Sequence, residues 1–182
     1  MKYLFVFMVV RLSLNSFGQR NEVHFYDNGK VEYEYSYNES GQRDGEQREW
    51  YDDGQLKGRY FYLTDKKDGV DSSWYRSGKL NRVAEYQNGM LEGWSRIWYE
   101  SGQLRQETPY HIGMKSSIFS EGGSGTCKKW YESGQLERLE TWYWNNPNGP
   151  FIYWYENGQM KAETERDDIG SQLIYSGPYK SW

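Results

Sequence analysis

The sequence predicts an all-β protein, a single elongated antiparallel meander of tandem β-hairpin repeats. Three observations carry that prediction. A seven-residue aromatic-glycine motif recurs six times, apolar and polar residues alternate with a period of two between its copies, and no stretch of the repeat region follows a helical period.

The motif copies start at Phe25, Trp50, Trp74, Trp98, Trp130 and Trp154, in the form Trp-Tyr-Glu-Ser-Gly-Gln-Leu at 98–104. Successive copies are 25, 24, 24, 32 and 24 residues apart. Two outlying positions keep the same register. A glycine stands five residues before each leading aromatic from the second copy onward, at Gly45, Gly69, Gly93, Gly125 and Gly149. A second aromatic stands twelve residues after the first five, at Tyr37, Tyr62, Tyr86, Tyr110 and Trp142, with Arg166 in the sixth. Because Tyr110 and Gly125 both hold register, the eight extra residues of the long spacing fall between them, within about His111–Thr126.

Each unit reads as two strands and two turns. The first turn lies at Asn28-Gly29, Asp53-Gly54, Ser77-Gly78 and their equivalents, where a hairpin calls for positive φ and accepts Asn, Asp or Gly. The second is expected at Asp68-Gly69, Asn88-Gly89 and Asn146-Pro147-Asn148-Gly149. Val31, Tyr33, Tyr35 and Tyr37 share one face between turns, as do Leu56, Tyr60 and Tyr62. Stacked units give about a dozen strands of roughly seven residues in a sheet about 55 Å wide. One unit cannot bury its own ladder residue, so stability accumulates from neighbour contacts and the ends need caps. Residues 170–182 are the expected C-terminal cap, because Gly170 and Tyr175 repeat the five-residue spacing.

On this reading Trp50, Trp74, Trp98, Trp130 and Trp154 pack between repeats, and Gly29, Gly54, Gly78, Gly102, Gly134 and Gly158 make the turns. Tyr51, Tyr75, Tyr99, Tyr131 and Tyr155 are expected on the opposite, more exposed face and are the candidate partner-binding row. Composition agrees with a thin sheet. Eighteen Tyr, nine Trp and seven Phe supply large areas with a polar handle, while the hydrophobic share of 36% leaves little for an aliphatic core.

Residues 1–18 stand outside the repeat. Lys2 precedes an apolar run from Tyr3 to Val10, and Ser16 and Gly18 suit a secretory cleavage that leaves Gln19 first. An N-terminal strand or short anchor is the other reading, since the run is too short to span a bilayer. Cleavage would remove Lys2 and Arg11 and no acid, moving the net charge from -4 to -6. The repeat domain then spans 19–182, exported to a periplasmic, surface or secreted location; without cleavage it is cytoplasmic.

Several function classes are disfavoured. Acids outnumber bases with both signs interleaved, unlike the basic face of a nucleic-acid binder. Cys127 is the only cysteine, which leaves no disulfide framework and no cysteine zinc cluster. His24 and His111 lie in different units with no ligand at metal spacing. Gly122-Gly123-Ser124-Gly125 lacks the Lys-Ser or Lys-Thr of a phosphate loop, and Asp52, Asp53, Glu100 and Glu132 fall at turns. No enzyme, cofactor or metal is therefore expected.

The Trp-Tyr-x-x-Gly-Gln-Leu core with its preceding glycine resembles the MORN-repeat variant family, over Phe25 to about Lys161. Bacterial members of that family include antitoxin components of the YwqK type. The resemblance implies a non-catalytic β-hairpin scaffold for protein interaction, including an antitoxin-like or immunity role. The residues themselves leave open a carbohydrate- or cell-wall-binding module that stacks ligands on aromatic ladders.

Overall fold

The computed structural model describes residues 10–12, 19–115, 125–166 and 174–175. All of its strands lie in one antiparallel sheet, ordered along the chain. It begins with β1 (Val10–Leu12), β2 (Arg20–Phe25) and β3 (Val31–Tyr37). It continues with β4 (Gly45–Trp50), β5 (Leu56–Leu63), the short β6 (Lys66–Lys67), β7 (Gly69–Trp74) and β8 (Leu80–Gln87). Then come β9 (Met90–Trp98), β10 (Leu104–His111), the short β11 (Met114–Lys115), β12 (Gly125–Trp130) and β13 (Leu136–Tyr143). The sheet ends with β14 (Asn146–Trp154), β15 (Met160–Arg166) and β16 (Ile174–Tyr175). The short β6 and β11 extend the hairpins at the ends of β5 and β10.

Each letter of the motif has a task in the first turn. The leading aromatic faces the aliphatic residue six positions on, as in Trp74 against Leu80 and Trp98 against Leu104. The next residue closes the loop: Tyr75 N–H donates to Lys79 C=O at 2.8 Å, and Gly78 N–H donates to Tyr75 C=O at 2.9 Å. Only the glycine of this loop has positive φ, +80° at Gly78. The turn is thus a three-residue loop ending in a glycine bulge, and the Asn, Asp or Ser before that glycine does not itself need positive φ. The glycine has a second role. A Cβ on Gly78 would lie 3.1 Å from Oε1 of Gln55, the residue after the glycine of the preceding turn, so this turn nests on the one before it, as Gly134 does on Gln103 and Gly158 on Gln135.

The tyrosine of the motif joins repeat to repeat. Its hydroxyl donates to the backbone carbonyl of the next unit's leading Trp, five times over: Tyr26 to Trp50 (2.7 Å), Tyr51 to Trp74 (2.9 Å), Tyr75 to Trp98 (2.6 Å), Tyr99 to Trp130 (2.9 Å) and Tyr131 to Trp154 (3.0 Å). Tyr155 ends the row half-exposed, with Lys161 Nζ over its ring at 5.5 Å. Four of the five candidate binding tyrosines thus have their hydroxyls engaged between repeats.

The second turn corrects the sequence reading at two of its three sites. It falls at Thr64-Asp65, Asn88-Gly89, Ile112-Gly113 and Trp144-Asn145, where both residues have positive φ. Gly69 instead opens the strand that follows and Asn148-Gly149 lies within one, and Gly69 (+112°) and Gly149 (+110°) bend the chain there. The reason for that glycine lies across the ladder. Gly45 is paired with Tyr62, Gly69 with Tyr86, Gly93 with Tyr110 and Gly125 with Trp142, so the two outlying repeat positions are cross-strand partners with a ring beside a bare backbone. The longer first spacing is a wider turn from Asn38 to Gln42. The insertion is narrower than the sequence implied. Met114–Lys115 still pairs with Tyr110–His111 and Gly125 resumes opposite Trp142, so the extra residues lie in 116–124, outside the described residues.

At the ends, β1 pairs with Asn21–Val23, which places a strand inside the segment read as an export signal; the rest of 1–18 lies outside the described residues. At the other end Ile174–Tyr175 pairs with Thr164–Glu165, and the remainder of the expected cap is likewise outside them.

The buried line of the sheet is mostly polar. Gln47, Asp71, Ala84, Ser95, Thr108, Cys127, Glu140, Phe151 and Thr164 are its buried members. Adjacent strands pair them directly, as Asp71 with Ala84, Ser95 with Thr108, and Glu140 with both Cys127 and Phe151. Among the described residues no second layer of secondary structure covers this line, and its larger polar members find partners within the sheet. Gln47 donates to Ser36 and Gly45 carbonyls (3.0 and 3.3 Å), and Asp71 takes Lys67 at 2.5 Å. Glu140 accepts from the Trp142 indole at 3.2 Å and pairs with Arg138 at 3.1 Å. The leading Trp row, by contrast, is only half-buried.

Two outcomes follow for denaturant melts. Tyr75→Phe, which removes only the inter-repeat hydroxyl, is expected to cost about 1 kcal/mol. Gly78→Val and Gly102→Val should each cost about 1–3 kcal/mol through backbone strain. The Gly78 variant should be the worse, since no atom lies within 4 Å of a Cβ at Gly102. Equal melts for wild type and all three variants would refute this account of the repeat.

Candidate functional site

Two features rise above the repeat: a groove over the first three hairpins, and the edge formed by the second turns. The groove comprises two adjoining hollows of about 240 Å³ and 150 Å³ that share Tyr35 and Glu49. The larger is lined by Tyr35, Arg43, Gln47, Glu49, Tyr60, Tyr62 and Lys67. Its strands β3, β4 and β5 are interior to the sheet, so their side chains, with those of Arg43 and Lys67, define it.

The groove depends on one local departure from the repeat. A Cβ on Gly58 would sit 2.1 Å from the Tyr60 hydroxyl, so only glycine there lets the Tyr60 ring lie back along its own strand. The rings of Tyr35 and Tyr33 are stacked at 4.5 Å, and His24 continues the stack at 4.9 Å from Tyr33. Cations lie over other rings: Arg43 over Tyr62 at 4.8 Å, and Lys67 between Tyr60 (5.0 Å) and Tyr86 (4.9 Å). Glu49 accepts from the Tyr35 hydroxyl at 2.8 Å and pairs with Lys57 at 3.4 Å. Burial pushes the Tyr60 phenol up to about 12, and burial with the Glu49 hydrogen bond raises Tyr35 as well. Both stay protonated donors at neutral pH.

The tip edge is held by backbone bonds from each second turn to the unit before it. Asp65 N–H donates to Arg43 C=O (2.9 Å), Gly89 to Lys67 (2.7 Å), Gly113 to Leu91 (2.8 Å) and Asn145 to Lys115 (3.2 Å). Large apolar side chains stand exposed along this edge: Leu63 (53%), Met90 (45%) and Ile112 (46%). Both histidines are occupied by carboxylates. His24 Nδ1 meets Glu32 at 2.8 Å, and His111 Nδ1 meets Glu92 at 2.7 Å beside the tip. The turn carboxylates Asp52 and Asp53 meet Arg76 of the next repeat. Cys127 is buried, which pushes its thiol up to about 11 and keeps it protonated.

Both features escaped the sequence reading. The tip residues include Thr64-Asp65 and Trp144-Asn145, which lack the usual turn glycine; carrying Asn88-Gly89 back by 24 residues locates the first, and carrying it forward by 24 and then by the long 32-residue spacing locates Ile112-Gly113 and Trp144-Asn145. For the groove, the available signal was Gly58, a glycine at no repeat position, two residues before a tyrosine on the same face.

The six hairpins also decide the family. The model of the MORN repeat variant matches residues 21–39, 43–63, 91–111, 124–142 and 147–168, more than half of the chain. The chain belongs to the MORN repeat variant family. The matched stretches coincide with five of the six hairpins, and β7–β8, between the second and third matches, repeats their construction with Tyr75 as its staple. No curated protein matches the chain. MORN repeats are repeat modules, in keeping with a sheet whose units differ chiefly in what they mount on a common frame.

Acid should loosen the tip edge at Ile112. Burial works against the charge on Glu92, but the Ile112 N–H (2.8 Å) and His111 outweigh it and hold the carboxyl below its ordinary 4.5. A carboxyl lowered in the folded state contributes stability above its unfolded pKa and loses it as pH falls through the folded value. Glu92→Gln is therefore expected to flatten the loss of stability below about pH 4.5 relative to wild type. Parallel acid titrations followed by circular dichroism check this; superimposable curves would show that the contact carries no stability.

Proposed function

We propose that this MORN repeat variant protein is a non-catalytic scaffold that holds a protein partner along its tip edge. The observation that carries the reading is the run of exposed Leu63, Met90 and Ile112 on consecutive stacked turns. Apolar side chains grouped on a rigid support, rather than scattered singly, mark a contact surface. Each turn is locked to its predecessor through the backbone, so the row is preorganised and loses little entropy on binding. Tyr51, Tyr75, Tyr99 and Tyr131 do not carry this contact, because their hydroxyls are engaged between repeats.

An antitoxin or immunity role is one form of this scaffold: a stiff edge laid across a partner blocks it without chemistry. We propose equally that residues 1–18 direct export and that the mature chain begins at Gln19. These two readings make opposite demands, since a neutraliser of a cytosolic toxin stays inside the cell.

Replacing Leu63, Met90 and Ile112 together by Ser should leave the melt within about 1 kcal/mol of wild type, because all three are exposed. It should abolish capture of the protein partner recovered by cross-linking in the native host. Retention of that partner by the triple variant would remove the tip edge as its site. Mass spectrometry of the native protein decides the second point: an N-terminus at Gln19 in an extracytoplasmic fraction supports export, and an intact Met1 in the cytosol overturns it.

A further inference from the structure

From the groove over the first three hairpins we infer a second binding site, for a neutral oligosaccharide, separate from the tip edge. Four features of its lining agree on that ligand class.

The first is a surplus of donors. Tyr60, Tyr62 and Arg43 line the hollow, and their polar ends make no hydrogen bond or ion pair with any described residue; Arg43 and Lys67 contact rings instead. The second is an acceptor placed among them. Glu49 already takes Tyr35 and Lys57 and has lone pairs left for a ligand hydroxyl. The third is aromatic surface: Tyr35, Tyr60 and Tyr62 all line the larger hollow, each with one ring face taken, by Tyr33, Lys67 and Arg43 respectively. A sugar ring offers an apolar C–H face to such surfaces and hydroxyls at its rim to the donors and acceptors around them. The fourth is the near balance of charge. Lys67 is neutralised by buried Asp71, Lys57 faces Glu49, and Arg43 remains. A polyanion would meet Glu49 and Glu32 in the lining, which does not suit it.

The backbone argues against a polypeptide in this groove. Peptides laid on a sheet draw much of their affinity from main-chain bonds to a free edge. Strands β3, β4, β5 and β7 are all paired on both sides, so recognition here falls to side chains. The hollows are at the low end of ordinary ligand pockets and open to solvent along the sheet, so they receive one or two rings of a saccharide whose remainder extends over the surface. Gly58 is what makes the site: it is the residue that lets the Tyr60 ring lie down.

The experiment is isothermal calorimetry of the full chain with cello-, chito-, manno- and maltotetraose, and with polyphosphate and polyglutamate as charged probes. Saturable binding of at least one tetrasaccharide is expected, with neither polyanion competing. Tyr60→Phe/Tyr62→Phe removes two hydroxyls that make no hydrogen bond to described residues, so it should leave the melt unchanged and weaken saccharide binding about tenfold. Gly58→Ala should weaken binding further by displacing the Tyr60 ring. Tip-edge variants should bind the saccharide as wild type does, which separates this site from the protein-binding edge. Absence of binding to all four tetrasaccharides, preference for a polyanion, or undiminished binding by both groove variants would overturn the assignment.

Discussion

The hydrogen bond from each motif tyrosine to the next unit's Trp carbonyl is the contact on which the rest of this sheet depends. A β-ladder already ties neighbouring strands, but a ladder alone leaves register open to slippage wherever a flat sheet has no buried face to penalise a slip. Here the buried line is largely Gln, Asp, Ser, Thr and Glu, which would set register weakly by hydrophobicity. The tyrosine supplies a side-chain measure of the repeat: its hydroxyl reaches one particular carbonyl, at 2.6–3.0 Å in every junction. Turn nesting of Gln55 under Gly78, Gln103 under Gly134 and Gln135 under Gly158 adds a second such measure.

A frame held this way differs from one held by a core. An ordinary domain buries one continuous apolar interior, so its surface is constrained by what the interior needs. In this single layer, cations over rings and local hydrogen bonds shield the central line, as where Lys67 lies between Tyr60 and Tyr86 or Lys115 over Trp142 at 4.2 Å. Individual units can therefore depart from the common pattern without unsettling their neighbours. Gly58 and Tyr60 reshape the face of the second unit, and 116–124 lengthens the connection after Lys115, while the turns on either side keep their geometry. That tolerance makes the repeat useful for mounting different surfaces on one support.

The two surfaces also divide by chemistry. The tip edge offers exposed apolar side chains on a stiff backbone, which suits the flat, extended contact of a protein. The groove offers donors, an acceptor and aromatic faces within a small hollow, which suits a ligand with polar groups around its rim. The apolar row lies at the second turns and the groove on the strand face of the first hairpins, with Arg43 and Lys67 contributing backbone carbonyls to the one and side chains to the other.

The sequence alone determined the all-β class, the six units, the first turn and the fixed positions of the outlying glycines and aromatics, because each of these repeats at a fixed period and period is visible without coordinates; that those glycines and aromatics face each other across the ladder came from the structure. It placed Gly69 and Gly149 in turns, since glycine beside Asp or Asn signals a turn locally; pairing across the ladder puts them in strands, opposite Tyr86 and Arg166. It offered Tyr51, Tyr75, Tyr99, Tyr131 and Tyr155 as a binding row, and nothing in a linear pattern shows that the hydroxyls of the first four reach a carbonyl 23 or 31 residues onward. Only the tertiary arrangement decided the groove and the tip edge. Both arise where residues from successive units come side by side, at distances set by strand spacing and ring orientation, which repeat period does not encode.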